Sequence, residues 1–188
     1  MDFNSNLLST NQRDFIRYEN VFDNKTLKIL EKFCKQNKPI NNIGESTPSN
    51  NNIRKITSIN MSESPPDFIR LLQDSLIYAN NIFNFNLNYI NLHYAEYIGG
   101  KSKLDWHLDI GKYPFNIRKL SFTINVNDEE EYKGGNLEFF TNYKSALTSS
   151  SNQGGITIFP SFLLHRITPI TEGIRKVIIG FVEGPPYK

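Results

Sequence analysis

His107 and Asp109, in the sequence WHLD, are two potential metal ligands separated by one residue. A further candidate, His165, lies far downstream in the apolar stretch IFPSFLLHRITPIT. Two histidines and one carboxylate form the facial triad that binds Fe(II) and leaves neighbouring coordination positions open. The three residues therefore predict an Fe(II) site and indicate an oxygen-activating iron enzyme.

The spacing of His107 and Asp109 fits a strand, because residues two apart on a strand project to the same face and can point at one ion. Taken alone, this pair is better explained as a surface histidine near a carboxylate. The alternative for His165 is a core histidine that hydrogen-bonds to the backbone. A histidine in an apolar strand needs a polar partner, and metal ligation supplies one. His93, in YINLHYAEYI, has no matching partner and is assigned to packing or to the surface.

Arg175 opens the strand RKVIIGFV, ten residues beyond His165. Alternation along this strand sends Arg175 and Phe181 to one face and Lys176 to the other. If the Arg175 face is interior, its guanidinium is a buried cation, which is costly unless it is paired, and a guanidinium is suited to bidentate capture of a carboxylate. Arg175 is therefore the candidate anchor for an acidic ligand. The alternative is an edge-strand arginine whose head lies in water.

The sequence predicts two helices followed by a series of short strands, and these strands would carry the candidate residues. Asp23 or Asn24 could cap a first helix, and Pro65 with Pro66 suits the start of a second. From Asn88 onward, short runs of β-branched and aromatic residues alternate with Gly, Asp and Asn, which predicts antiparallel strands. The pattern indicates a sandwich or jelly roll with both helices packed on one side. The Asn-, Ser-, Pro- and Gly-rich segment 37–52 is expected to be a loop.

Length, cysteine content and charge indicate a single-domain protein without disulfides and without the charge pattern of a nucleic-acid-binding protein. A chain of 188 residues with 38% apolar residues is long enough for one sizeable core, so one domain is expected. Cys34 is the only cysteine, which excludes an intramolecular disulfide and a thiolate cluster and fits a reducing interior. A net charge of +2, spread along the chain, gives no electrostatic footprint for nucleic acid. Without a signal-peptide pattern or a long apolar run, we expect a cytoplasmic protein that does not span a membrane.

The stretch from about Tyr89 to Pro185 resembles the Fe(II)- and 2-oxoglutarate-dependent dioxygenases, in particular their prolyl 4-hydroxylase-like branch of PKHD type. The motifs that carry the resemblance are, in order, HYAEYIGG, LDWHLDIG, RKLSFTINVND, EEYKGGNLEFF and GGITIFPSFLLHRITPITEGIRKVIIGFVEGP. The resemblance implies a single α+β domain, 1–188, with a double-stranded β-helix (jelly-roll) core of antiparallel strands. Residues 1–86 would supply mainly helical and loop support, and residues 87–188 the core and the active site.

The resemblance also implies roles for individual residues. Fe(II) would be held by His107, Asp109 and His165, and would be the centre of catalysis. The cosubstrate 2-oxoglutarate would chelate the iron through its C1 carboxylate and keto oxygen, and Arg175 would receive its C5 carboxylate. Val177 departs from the serine that is usual two residues after this arginine.

Further pocket residues follow from the same resemblance: Tyr97, Thr123 and Asn125 for the cosubstrate, and Arg118 and Phe181 for the substrate. Tyr97 could equally be an aromatic core residue, since large aromatic side chains fill cores. Arg118 could equally be a solvated charge at a strand end.

The implied activity is hydroxylation of a substrate C–H bond while 2-oxoglutarate and O2 are converted to succinate and CO2, with ascorbate as reductant. A prolyl or other side chain of a peptide or protein is the substrate that family analogy suggests. Oxidation of a small molecule or a nucleobase is the alternative within the same class. The alternative from another class is a jelly-roll module that binds a metal or another ligand without turnover. No oligomeric state is predicted.

Overall fold

The computed structural model describes residues 14–36, 54–100, 102–141 and 146–187, so the predicted loop 37–52 lies outside the described residues. Two α-helices and a series of strands make up the described part of the chain. In order along the chain they are β1 (Ile16–Tyr18), α1 (Asn24–Gln36), β2 (Arg54–Ile59), α2 (Pro66–Phe83), β3 (Tyr89–Ile98), β4 (Leu104–His107), β5 (Arg118–Asn125), β6 (Tyr132–Gly134), β7 (Leu137–Phe140), β8 (Ala146–Thr148), β9 (Ile156–Pro160), β10 (His165–Ile167) and β11 (Ile170–Glu183).

The strands form two antiparallel sheets. The major sheet has the order β1-β9-β5-β11-β3-β2, and β6 pairs with β11 beside it. The minor sheet has the order β4-β10-β7-β8. Side chains of both sheets meet in one apolar cluster, to which Tyr97 and Val177 contribute from the major sheet and Leu137, Phe139 and Ile167 from the minor sheet. This is the predicted jelly-roll arrangement of antiparallel strands.

The two helices pack against the opposite face of the major sheet, as the sequence predicts. Asp23 caps α1, since its Oδ1 accepts a hydrogen bond of 2.7 Å from the backbone N–H of Thr26. Pro66 is the first residue of α2, where its missing N–H costs no helical hydrogen bond. Buried residues of both helices join strand residues in a second cluster: Leu27, Leu30, Cys34, Phe68, Leu72, Leu76, Ala79, Leu92, Leu120, Ile156 and Ile178. No helix in the described ranges is both long and apolar enough to cross a membrane.

The N-terminal part also contributes strands to the major sheet. β1 pairs with β9 at one edge, and β2 pairs with β3 at the other. Sequence analysis assigned residues 1–86 mainly to helix and loop and did not predict these two strands. β1 has only three residues, which is too short for period-two alternation to be recognised, and its partner lies 140 positions away at the register pair Arg17 and Thr157.

Candidate metal centre and adjoining cavity

Neighbouring strands of the minor sheet bring the two candidate histidine ligands together. β4 and β10 are antiparallel with His107 directly opposite His165, and the ring centroids lie 4.2 Å apart. Asp109 lies beyond the end of β4, so strand alternation does not position it. Instead its backbone N–H donates to the carbonyl of Ser161 at 2.9 Å, and its own carbonyl accepts from Nη1 of Arg118 at 3.1 Å. Two ligands thus come from strands and the third from a braced loop.

The three side chains converge with their donor atoms facing one another. Nε2 of His107 lies 3.5 Å from Oδ1 of Asp109, and Nε2 of His165 lies 3.4 Å from Oδ2. One ligand atom from each residue fits within 4.8 Å of the others. The carboxylate therefore lies close to both imidazoles, and the three donor groups are near enough to one another to bind a single metal ion.

Backbone carbonyls select the tautomer of both histidines. Nδ1 of His107 lies 2.8 Å from the carbonyl oxygen of Asp105, and Nδ1 of His165 lies 2.8 Å from that of Leu163. A carbonyl only accepts, so each Nδ1 carries the proton and donates it. Each Nε2 then presents its lone pair toward Asp109, which is the state that a metal ligand needs.

The protonation states of the centre also suit a cation. Burial lowers the pKa of His165, although the charge of Asp109 opposes that effect, so the imidazole is kept neutral. Burial alone would raise the pKa of Asp109, but its contacts with the neighbouring imidazoles outweigh burial and hold the pKa below its usual value. Two imidazoles beside an ionised carboxylate are the donor set of the facial triad.

Residues that sequence analysis did not single out enclose this centre. The ring of Phe159 lies 4.7 Å from that of His165 and approaches it edge-on, and Phe139 lies behind it with a centroid distance of 6.2 Å. The hydroxyls of Ser121 and Ser161 lie 2.9 Å apart beside the Asp109 loop. These contacts join residues that are distant in sequence, so no local sequence pattern predicts them.

A cavity of about 520 Å³ adjoins the centre and is lined by all three candidate ligands and by Arg175. β11 lies between β3 and β5, so Arg175 is not on an edge strand, and its residue surface is only 2% exposed. Among the described residues its Nε has no hydrogen-bond partner and its guanidinium has no ion pair. A buried cation in that state is costly, so Arg175 calls for an anion that enters the cavity.

The residues present therefore fit both groups that the sequence predicts. The donor set of two imidazoles and one carboxylate suits Fe(II) and would leave coordination positions facing the cavity. The orphaned Arg175 guanidinium suits a carboxylate in the same cavity. An Fe(II) ion and a dicarboxylate cosubstrate would satisfy both needs at once.

The other predicted pocket residues divide into two groups. Tyr97 and Thr123 line the cavity, and the Arg175 guanidinium lies 5.7 Å from the centroid of the Tyr97 ring. Asn125 is not part of the lining; its amide Nδ2 faces the carbonyls of Ser150 and Asn152, each at 3.5 Å. The amide therefore points to the loop that precedes β9.

The predicted substrate residues, Arg118 and Phe181, both line the cavity. Val177, which stands where the family usually has serine, is fully buried in the apolar cluster between the sheets. His93 lies outside the metal group, with Nδ1 3.3 Å from the Ser58 hydroxyl and its ring 6.3 Å from that of Phe181. Its assignment to packing agrees with these contacts.

Comparison with known sequences finds a family to which the site region is similar. The sequence profile of the 2OG-Fe(II) oxygenase superfamily matches residues 92–183, which span the three candidate ligands and Arg175. The part of the chain that carries the site is therefore similar to the 2OG-Fe(II) oxygenase superfamily. The name of this superfamily specifies both Fe(II) and 2-oxoglutarate, the two groups that the site fits.

Relatives within the superfamily are PKHD-type hydroxylases. One from Synechococcus sp. is 37% identical over 79 residues, and one from Hyphomonas neptunium is 38% identical over 81 residues. These segments cover 42% and 41% of this chain, and each covers 36% of the relative. The chain therefore matches about a third of the length of these relatives.

Solved structures extend the likeness to the whole fold. A prolyl-4-hydroxylase from Pseudomonas putida has a TM-score of 0.75 at 15% identity, over 97% of this chain and 99% of that one. A prolyl hydroxylase from Trichoplax adhaerens, solved with a peptide fragment of the hypoxia inducible factor oxygen degradation domain, has a TM-score of 0.72 at 19% identity, over 96% and 88%. The double-stranded β-helix predicted from the sequence is thereby confirmed.

Proposed function

We propose that this protein is an Fe(II)- and 2-oxoglutarate-dependent dioxygenase that hydroxylates a C–H bond of its substrate. The observation that carries the proposal is the coexistence, in one cavity, of a His-His-Asp donor set and a buried arginine without an anion among the described residues. An iron site alone would not need Arg175, and a surface arginine would not need burial. Together they match a metal whose cosubstrate is a carboxylate.

In this proposal His107, Asp109 and His165 hold Fe(II), and Arg175 receives the C5 carboxylate of 2-oxoglutarate. When bound, the iron and 2-oxoglutarate supply the oxidising chemistry, in which O2 and 2-oxoglutarate become succinate and CO2 while the substrate gains a hydroxyl. The protein orients the ligand lone pairs through the carbonyls of Asp105 and Leu163. Ascorbate would serve as reductant that keeps the iron in the ferrous state.

The remaining pocket residues have supporting roles in the proposal. Tyr97 and Thr123 would contact the cosubstrate from the walls of the cavity, and Arg118 and Phe181 would contact the substrate. Asn125 would contribute indirectly, by holding the loop that precedes β9. Its amide donates to the carbonyls of Ser150 and Asn152, and the residue does not line the cavity.

The substrate proposed by analogy is a side chain of a peptide or protein, a prolyl residue first of all. The support is the likeness to the Trichoplax prolyl hydroxylase that was solved with a peptide fragment and to the prolyl-4-hydroxylase of Pseudomonas putida. We further propose that the protein acts in the reducing cytoplasm, since Cys34 is a buried free thiol and the site requires ferrous iron.

Succinate formation tests the activity directly. The protein is incubated with Fe(II), ascorbate, O2 and 2-oxoglutarate, and succinate is quantified with and without a peptide pool. In parallel, the anaerobic protein with Fe(II) and 2-oxoglutarate is examined for a metal-to-ligand absorption band. Both signals are expected. Metal binding without the band and without succinate would replace the enzyme with a jelly-roll binding module.

A further inference from the structure

Arg118 is a second buried arginine in the same cavity. It is 9% exposed, and its guanidinium carbon lies 3.6 Å from the centroid of the Phe181 ring and 4.6 Å from that of Phe115. Its hydrogen bond in the described part of the chain runs from Nη1 to the carbonyl of Asp109 at 3.1 Å. Two aromatic rings and one carbonyl thus fix the guanidinium in place beside the metal centre while most of its five N–H donors are unused.

No carboxylate of the described residues forms a direct ion pair with Arg118, although the charges of Asp109 and Glu183 attract its guanidinium. Glu183 is opposite Arg118 in the β5–β11 register, but its Oε1 accepts a hydrogen bond of 2.7 Å from Nδ2 of Asn91. Within the described ranges no carboxylate oxygen comes within 4.0 Å of the Arg118 guanidinium, whereas the surface arginine Arg70 has two such partners. A buried cation held this rigidly without a direct ion pair is suited to an anion that arrives from outside.

Arg118 lies apart from Arg175, the proposed anchor of the cosubstrate. Arg118 stacks on Phe181, which is six residues from Arg175 along β11, a separation of roughly 20 Å. The guanidinium of Arg175 stays near the Tyr97 ring, its register partner on β3. Arg118 and Arg175 therefore lie against different aromatic rings and different parts of the cavity wall.

The charges of the cavity wall point the same way. Fe(II) and Arg175 together balance the Asp109 carboxylate and the two carboxylates of 2-oxoglutarate. Lys103 is paired with Asp105 at 3.1 Å. Lys112 and Arg118 also line the cavity and are left positive when iron and cosubstrate are bound. The part of the cavity that is free for substrate is therefore cationic.

We propose that the primary substrate carries a carboxylate close to the carbon that is hydroxylated, and that this carboxylate docks on Arg118. The proposal rests on the proposed function. Because Arg118 donates to the backbone carbonyl of a metal ligand, a group bound to it lies beside the reaction centre. Phe115 and Phe181 border the same place and suit an apolar portion of the substrate. A free C-terminal residue, an acidic side chain next to the target and a free amino acid share this chemistry.

A pair of chemically matched pools tests the proposal. A proteolytic peptide pool supplemented with free amino acids is used as prepared and after methyl esterification, which removes every carboxylate charge. Each pool is incubated with the iron-loaded enzyme, 2-oxoglutarate and O2, and products that have gained one oxygen atom are mapped by mass spectrometry. We expect the untreated pool to be modified about ten- to a hundredfold more, at positions next to a carboxylate. The mapped positions then show which of the three sources supplies it.

Equal modification of the two pools, or modification of neither, overturns the proposal. Succinate is measured in these reactions and in a further reaction without any pool. If succinate forms but the two pools are modified equally or not at all, this inference alone is refuted. Absence of succinate in every reaction refutes the proposed function instead. The two failures are therefore distinguishable.

Variants separate docking from a purely structural role of Arg118. Arg118→Gln should abolish the preference for the untreated pool, and Arg118→Lys should retain part of it. Arg70→Gln, at an exposed arginine of α2, is the matched control and should behave as the parent protein. If Arg118 only braces the Asp109 carbonyl, Arg118→Gln lowers modification of both pools equally and the preference survives, which contradicts the proposal.

Discussion

His107 and His165 face each other across the β4–β10 pair in direct register, with their ring centroids 4.2 Å apart. The register places two imidazoles on hydrogen-bonded strands, whose relative position the minor sheet fixes. Asp109 belongs to the loop beyond β4 and is braced by Ser161 and Arg118. The histidine pair is therefore rigid, and the position of the carboxylate depends on the loop contacts.

Replacing His165 tests the metal centre. His165→Ala removes one of three ligand atoms, and we expect the affinity for Fe(II) to fall more than about 100-fold and succinate formation to be lost. His93→Ala is the matched control, since His93 lies on β3 outside the metal group and should leave Fe(II) binding intact. Anaerobic Fe(II) titration, followed by the metal-dependent rise in Tm, measures both. Undiminished binding in His165→Ala would contradict the assignment.

Replacing Arg175 tests the cosubstrate anchor. Arg175→Gln keeps a polar side chain but removes the buried charge, and we expect the KM for 2-oxoglutarate to rise about 30- to 150-fold, equivalent to about 2–3 kcal/mol. Fe(II) affinity should change little, because Arg175 is not among the grouped ligands. Lys55→Gln, at an exposed position of β2, controls for loss of positive charge elsewhere. An unchanged KM in Arg175→Gln would show that the carboxylate binds at another residue.

Gly135 leaves room for the side chain of Arg175. A Cβ at position 135 would lie 2.8 Å from Cδ of Arg175 and 2.9 Å from Cγ1 of Ile170. We therefore expect Gly135→Ala to displace the guanidinium and to raise the KM for 2-oxoglutarate about tenfold, with steady-state kinetics as the measurement. Gly135 also has φ of +69°, where a side chain costs about 1–2 kcal/mol of stability.

Gly100 provides the control for that backbone cost. It has φ of +74°, but a Cβ there would meet nothing within 4 Å. Gly100→Ala should lose a similar amount of stability and keep the parent KM. If both variants raise the KM equally, the effect comes from backbone strain and the contact between Gly135 and Arg175 is irrelevant to binding.

Local periodicity was enough to predict most of the fold. The alternation in YINLHYAEYI predicts β3 over its full length, and the proline pair before Asp67 predicts the start of α2. β6 and β8 have three residues each, so they carry no readable period and exist through pairing with β11 and β7. Such strands are determined by tertiary contacts that a single sequence does not display.

The candidate site divides in the same way. Residue types and spacing identified His107, Asp109, His165 and Arg175, but alternation alone left Arg175 at either an edge or the interior. The pairing of β11 with both β3 and β5 decides for the interior. The support of Asp109 by Ser161, 52 positions away, required the folded chain. The candidate ligands could thus be chosen from short sequence segments, whereas their positions depend on contacts between distant parts of the chain.

The pH dependence of stability should report on His93. Burial lowers the pKa of His93 to about 4, and the charge of Arg118 adds to the effect. In the unfolded chain the pKa is about 6.5, so between these values the unfolded state binds more protons than the folded state. The free energy of unfolding should therefore fall as the pH drops below about 6.5, by an amount that solvent screening of this partly exposed ring reduces.

His93→Gln removes this titration and isolates it. The variant should lose less stability than the parent between about pH 7 and about pH 4.5, as measured by urea unfolding at a series of pH values. His107 and His165 are present in both proteins, so their own titrations cancel in the difference. Parallel curves for parent and variant would mean that His93 is as solvated in the folded chain as in the unfolded one. If the parent instead loses more stability than His93→Gln as the pH falls, the face of β3 beside Phe181 and Arg118 disfavours a second positive charge.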